Sequence, residues 1–226
     1  MIAGYFMANV KLTADMASVS AVFVIMFALP TYWAIIRTNG LKKGLIGLLG
    51  VGLYALIIES LAIHTSFPYG NFIYNDTLGP KIFGLTPWTI AFAYPPVLFL
   101  AYFFVRQRIS KLIPLILLTG LFTMSIDLVL DPGAVALGFW YWPTGGFFYG
   151  VPLVNFLGWI LTGSIGTALV IVLFGRKKPD IGIAHSGMLI IWFWTWINIW
   201  LVQALPAAIG IVILLVCIKE YRSVDV

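Results

Sequence analysis

The stretch Leu112-Ile-Pro-Leu-Ile-Leu-Leu-Thr-Gly-Leu-Phe-Thr-Met-Ser-Ile-Asp-Leu-Val-Leu130 carries a single ionisable residue, Asp127. It lacks period-two alternation, so it reads as a membrane-spanning helix and not as a barrel strand. Comparable runs lie on both sides of it. They predict spans at about 17–37, 44–65, 86–105, 112–130, 152–174 and 183–203, and a shorter one at about 205–219 that opens beside Pro206. The first run, Ala17 to Ile36, is too long for a signal-peptide core, and the first ten residues hold no Lys or Arg. It is therefore expected to remain as a span. The predicted fold class is all-α: one polytopic membrane bundle of about seven transmembrane helices, with residues 1–226 as a single integral membrane domain.

Composition points the same way. Hydrophobic residues make up 62% of the 226 and charged residues only 9%, against about 25% charged in soluble domains. Mean hydropathy is +1.03. A soluble domain would need more polar surface, which excludes a soluble globular fold, a disordered chain and a nucleic-acid-binding module. One cysteine (Cys217) and two histidines (His64, His185) leave no basis for disulfides, a zinc cluster or a histidine-rich metal site.

The net charge of +5 is explained by where the basic residues fall. Arg37, Lys42 and Lys43 follow the first span; Arg106, Arg108 and Lys111 follow the third. Arg176, Lys177 and Lys178 follow the fifth, and Lys219 and Arg222 the last. Lys11 and Lys81 alone fall in the other connections. The positive-inside rule makes the basic side cytoplasmic, with the N-terminus outside, the C-terminus inside and the chain in the cytoplasmic membrane.

Two connections on the outer side, Ser66–Leu85 and Asp131–Val151, are rich in aromatics, Gly and Pro and poor in charge. Solvated loops rarely look like this. They are expected to fold back over the bundle as a lid with an apolar underside; an interfacial aromatic belt is the alternative. A weak parallel repeat is also visible, in which an acid on one helix is followed by an aromatic loop and a Pro-opened helix, once from Glu59 and once from Asp127.

Glu59 and Asp127 are the ionisable residues well inside predicted spans. Each lies fifteen residues past the start of its helix, roughly 22 Å along it at 1.5 Å per residue. Asp131 sits one turn above Asp127 on the same face. A charged carboxylate at that depth costs several kcal/mol unless it is paired, protonated or in a polar cavity. No Lys or Arg inside the spans offers a partner, so a neutral acid held ready for proton transfer is the cheaper state. Interhelical hydrogen bonding is the structural alternative. Asp15, Asp180, Glu220 and Asp225 are expected to be solvated at membrane edges or the tail. Asn155 and Asn198 lie at the level of the acids, as does Tyr94 in the third span. Trp159 and Thr162 share a face with Asn155, and Trp194 and Thr195 with Asn198; the two threonines read as packing glue. Gly44, Gly47, Gly50, Gly158, Gly163 and Gly166 read as close helix packing, and no phosphate-binding fingerprint is present. An aromatic-lined pocket suits a polyene and stabilises a carbocation by about 1–2 kcal/mol per good ring contact. Acid, aromatics and a held water together suit alkene protonation followed by capture of the cation.

Three motifs resemble the membrane carotenoid hydratase family of carotenoid biosynthesis. They are Phe67-Pro-Tyr-Gly-Asn-Phe-Ile-Tyr74 with Leu78-Gly-Pro80, Asp127-Leu-Val-Leu-Asp-Pro-Gly-Ala-Val-Ala-Leu-Gly-Phe-Trp-Tyr-Trp142, and Tyr149-Gly-Val-Pro-Leu-Val-Asn-Phe-Leu-Gly-Trp159. The family includes bisanhydrobacterioruberin hydratases and γ-carotene hydratases, and the resemblance is strongest over residues 50–175. It implies water addition across a terminal isopropylidene double bond of an acyclic carotenoid end, without a redox cofactor. It also implies a lipid-soluble carotenoid as substrate, contact with membrane lipids and, as further partners, other carotenoid enzymes. Tyr94-Pro-Pro96 departs from the hydratase pattern, which implies a different pocket shape at that helix. Related lycopene cyclases carry a Pro-x-Glu-Glu/Asp motif that this chain lacks. On chemistry, Asp127 or Glu59 is the expected general acid, and Asp131 with Asn155 orients water and takes its proton. Tyr141, Trp142 and Trp159 are expected to line the cation site, with Tyr94 and Asn198 as further positioning residues. A cyclase-like isomerase and a non-enzymatic isoprenoid carrier are the alternative readings. A retinal protein is excluded because Lys219 lies at the end of the last span.

Overall fold

The computed structural model describes residues 2–9 and 13–224; Lys11 and Asp225 lie outside them. A short helix α1 (Ile2–Asn9), not anticipated from the sequence, precedes seven longer ones. These are α2 (Ala17–Asn39), α3 (Leu41–Thr65), α4 (Ile90–Arg108), α5 (Leu112–Ala136), α6 (Leu153–Phe174), α7 (His185–Trp200) and α8 (Ala204–Val224).

Six of these, α2 to α6 and α8, are long and apolar enough to cross a membrane. The predicted span at 183–203 is the exception. It contracts to the 16-residue α7 behind a 3₁₀ turn, Ile181–Ala184, and 16 residues reach only about 24 Å. Its predicted last turn is broken where Val202 takes a positive φ of 58°. The third predicted span also starts late, because Thr86 and Pro87 form a strand instead. The fourth runs six residues further than predicted: Pro132 is accommodated inside α5, so Asp131 belongs to the helix and not to a loop.

α4 is the central helix. Its span is 72% buried and has a hydropathy of 1.3, whereas the other five spans are 28–44% buried with hydropathies of 1.9–2.1. Helices bathed in lipid need the most apolar surface; the one enclosed by protein does not. Pro95 in α4 has no N–H for the Ala91 carbonyl. The Tyr32 hydroxyl donates to that oxygen at 2.9 Å, which satisfies it from α2. Elsewhere glycines allow close approach. A Cβ on Gly163 would lie 2.0 Å from Thr123 Oγ1 and 3.0 Å from the Gly120 Cα, and one on Gly120 would lie 2.4 Å from the Ile160 carbonyl. This is the small-residue packing expected of membrane helices.

Among the described residues, the Lys and Arg side chains other than Lys81 gather at one end of the bundle. There Arg37 pairs with Asp180 at 3.1 Å and Arg108 with Glu220, and Arg106 donates to the Arg176 carbonyl. Neither acid is simply solvated, and Glu220 is buried. The other end is covered by the two aromatic connections. They are tied together by an antiparallel pair, β1 (Ile73–Tyr74) and β4 (Trp140–Tyr141), in the register Ile73↔Tyr141 and Tyr74↔Trp140. Between them in sequence, β2 (Lys81–Ile82) pairs with β3 (Thr86–Pro87). The underside is apolar: Tyr69, Phe72, Tyr74, Phe139, Trp142 and Phe148 are buried. The Trp142 indole donates to the Tyr69 carbonyl at 2.9 Å across the two connections. The aromatic loops thus form a lid over the helix ends.

The glycine geometry predicts opposite outcomes at two positions. Gly163→Ala meets backbone and lowers stability by about 1–3 kcal/mol. Gly50→Ala meets only the flexible Leu173 side chain at 3.2 Å and is tolerated. Thermal midpoints of the two variants in detergent check this.

Candidate functional site

Beneath the lid three acids from two helices converge. Glu59 on α3 and Asp127 and Asp131 on α5 are buried, with relative exposures of 6%, 1% and 3%. Asn155, in the first turn of α6, joins the α5 pair. Its side-chain nitrogen donates to Asp127 Oδ2 at 2.8 Å and to Asp131 Oδ2 at 2.6 Å. An amide nitrogen has two N–H groups, and here each meets a different acid. Four residues apart on α5, the two carboxyls share one helix face, and the one amide of Asn155 joins them.

The lid supplies the remaining donors. Trp140 Nε1 donates to Asp131 Oδ1 at 3.2 Å, and the Tyr74 hydroxyl to Glu59 Oε2 at 3.0 Å. Burial, followed by the neighbouring Glu59 carboxyl, holds the Tyr74 phenol well above its ordinary value of 10.0, so it remains a donor. Lys81 fixes this strand from outside, bonding the Tyr74 carbonyl at 2.7 Å and Asp76 at 2.7 Å. Strand alternation explains the arrangement. Tyr74 and Trp140 are opposite each other and face the helices, while their neighbours Ile73 and Tyr141 face out.

These residues line a small chamber of about 70 Å³. Glu59, Asp131 and Asn155 line one part. Tyr69, Phe72, Tyr74, Tyr94, Trp140, Trp142 and Trp159 supply aromatic walls, and Ile90, Ala93, Val97 and Leu130 an aliphatic side. Trp159 stacks on Tyr94 with ring centroids 5.7 Å apart. The Tyr94 hydroxyl donates to the Thr162 carbonyl at 3.2 Å, and the Tyr69 hydroxyl to Thr162 Oγ1 at 2.9 Å. The space holds roughly two to four waters, and is about half the size of an apolar cavity that accommodates benzene. Two larger cavities lie at the basic end, away from the three buried acids.

The structure brings Glu59, Asp131, Asn155, Tyr94, Trp142 and Trp159 to one chamber. Asp127 stands behind Asp131 and is not part of the wall; its Oδ1 is buried with no partner among the described residues. Tyr141 is not in the chamber: it is 42% exposed on the outer face of the lid, and Trp140 takes the place expected for it. Asn198 lies elsewhere too. Its side-chain nitrogen bonds the Val129 carbonyl at 2.7 Å and the Trp194 carbonyl at 2.9 Å, fastening α7 to the far side of α5. Tyr69, Tyr74 and Trp140 were not singled out from the sequence. The alternation Phe72-Ile-Tyr74 against Trp140-Tyr-Trp142 carries the signal, because only one parity of each strand can face the acids.

The chain matches the carotenoid biosynthesis protein family over residues 17–217 and belongs to that family. It is also similar to a bisanhydrobacterioruberin hydratase of Haloarcula japonica, with 38% identity over 132 residues. That match covers 57% of this chain and 45% of the relative, so the chain spans about half the length of the curated relative it matches. No solved structure matches the chain.

The double bond from Asn155 predicts that Asn155→Leu, which strands two buried acids, destabilises the protein by about 1–3 kcal/mol. Tyr141→Phe, on the exposed face, leaves stability within about 0.5 kcal/mol. Thermal unfolding in one detergent distinguishes them, and equal midpoints for the two variants would count against the assigned geometry.

Proposed function

We propose that this chain is a carotenoid hydratase that adds water to the terminal isopropylidene double bond of an acyclic carotenoid end. The observation that carries the reading is the convergence of Glu59, Asp131 and Asn155 on one small aromatic-walled chamber within an otherwise apolar bundle. Family membership and the similarity to a named hydratase support it. The protein is read as a single integral membrane unit in the cytoplasmic membrane, basic end inside, on the positive-inside rule.

The chemistry follows from positions. Glu59, held by Tyr74, protonates the CH carbon of the double bond, and a tertiary cation forms at the dimethyl-bearing carbon. The ring faces of Trp142, Trp159 and Tyr94 stabilise it by about 1–2 kcal/mol per good contact. A water beside Asp131 and Asn155 attacks the cation. Its proton passes to Asp131, with Asp127 behind to share it. One C–H and one C–O bond form; the C=C π bond, the O–H bond of the Glu59 carboxyl and one O–H bond of water break, and the product is a tertiary alcohol. The proton count balances once Asp131 returns its proton to Glu59 through chamber water. Cyclisation shares the first step, but it needs an internal alkene folded back onto the cation. The polar pair Asp131 and Asn155 on the chamber wall supports a held water at the cation over that fold.

Purified protein in lipid nanodiscs, given lycopene, γ-carotene or a C50 acyclic carotenoid, is expected to give a more polar product heavier by one water. Glu59→Gln and Asp131→Asn should each lower turnover by about 10²–10⁴-fold while pigment binding persists. A product of unchanged mass would identify an isomerase. Pigment binding with no product from any of the three substrates, and no change in the variants, would identify a carrier.

A further inference from the structure

Two cavities larger than the chamber lie at the basic end, away from Glu59, Asp127 and Asp131. One is a cup of about 350 Å³ between the ends of α2, α3, α4 and α6. Its rim holds Lys43, Lys177 and Lys178, and its floor includes Phe99, Val170 and Phe174. The other is a groove of about 500 Å³ running along α3 and α6 past Ile46, Gly47 and Leu173. The cavities adjoin, because Asn39 and Lys43 line both.

The charges here are unbalanced. Asp180, the acid lining the cup, is already engaged by Arg37 at 3.1 Å and by the Gly182 amide at 2.8 Å. Among the described residues, Lys43, Lys177 and Lys178 have no carboxylate within ion-pair distance. The first turn of α3 also opens beside the cup, starting at Gly40 with no side-chain cap, so its free amides add to the positive potential. The positive-inside rule accounts for lysines at this end, but it does not account for a cup that gathers three of them, one from the first turn of α3 and two from the connection after α6, over a floor that includes two aromatic rings.

We propose that this cup and groove form a binding site for an anionic phospholipid, the phosphate held by Lys43, Lys177 and Lys178 and one acyl chain lying in the groove beside Gly47. The pairing of a cationic cup with an apolar groove matches an amphiphile bearing one phosphate diester, and a zwitterionic lipid would bring its own cation into the lysine cluster. The missing Cβ of Gly47 lets the Phe174 ring pack against α3 at the side of the groove, since a Cβ there would collide with that ring at 1.9 Å.

Native mass spectrometry of the whole chain in detergent, with equal phosphatidylglycerol and phosphatidylcholine, tests this. The expected result is a clear excess of phosphatidylglycerol adducts. That excess should fall about tenfold or more in Lys43→Gln/Lys177→Gln/Lys178→Gln. It should persist in Lys111→Gln/Lys219→Gln/Arg222→Gln, which removes the same charge at the same end outside the cup. Ile46→Trp, which fills the groove and leaves the charge unchanged, should also reduce the adducts. Equal loss in the two triple variants, or no preference for phosphatidylglycerol, overturns the proposal. Displacement of the lipid by millimolar inorganic phosphate or glycerol phosphate, with no effect of Ile46→Trp, would overturn it in favour of a soluble phosphate site.

Discussion

Asn155 aims the two N–H groups of one amide at two carboxyls of a neighbouring helix, and much of the structure is arranged around that contact. Two acids four residues apart on an apolar helix repel when charged, and their carboxyl oxygens need donors that the apolar surroundings do not supply. A single Asn can serve both only if its helix starts at their level and lies close. Pro152 opens α6 at that height. Below it, Gly120 and Gly163 let α5 and α6 approach until a Cβ at either position would collide with the partner helix. Close packing of small residues therefore sets the distance at which the polar contact works.

The lid depends on the same acids. Trp140 reaches Asp131 and Tyr74 reaches Glu59, so each of the two acid-bearing helices receives one donor from the connection that follows it. The antiparallel pair of β1 and β4 puts these donors opposite each other. A shift of one residue would turn both to the outside, because side chains alternate along a strand. The register of a two-residue ladder is thus fixed from below by buried carboxyls and not by the ladder's few backbone bonds.

This division explains what the sequence reveals. Continuous apolar runs located six spanning helices to within a few residues, because lipid imposes hydrophobicity along the whole length. The matched depth of Glu59 and Asp127 was legible for the same reason: an acid in such a run is conspicuous. The site's upper half was not legible. Pro132 reads as a helix end, yet α5 continues to Ala136 and carries Asp131 inward. Strands of two residues leave too short a pattern to tell Trp140 from Tyr141, and the choice rests on pairing with a segment nearly seventy residues away. Asn198 read as a polar neighbour of the acids, but helix rotation directs it to the Val129 carbonyl on the opposite flank of α5.

The dimensions of the chamber bear on the order of events. Water can occupy a chamber of about 70 Å³ lined by Glu59, Asp131 and Asn155 without any rearrangement, and polar walls with several donors and acceptors retain it. On the hydratase reading, a space of this size would have to widen at the lid or the aromatic wall to admit a polyene terminus. On that proposed reading, the nucleophile would be in place before the alkene arrives, and the cation would form beside a held water. Such an order gives capture by water a lead over any competing intramolecular reaction, because the competing alkene still has to fold into a space that water already fills. The lid donors Tyr74 and Trp140 are bonded to the acids they cover, so opening the lid for substrate also loosens Glu59 and Asp131. Re-closure over a bound terminus would restore both contacts at once, linking the seating of the substrate to the readiness of the acid.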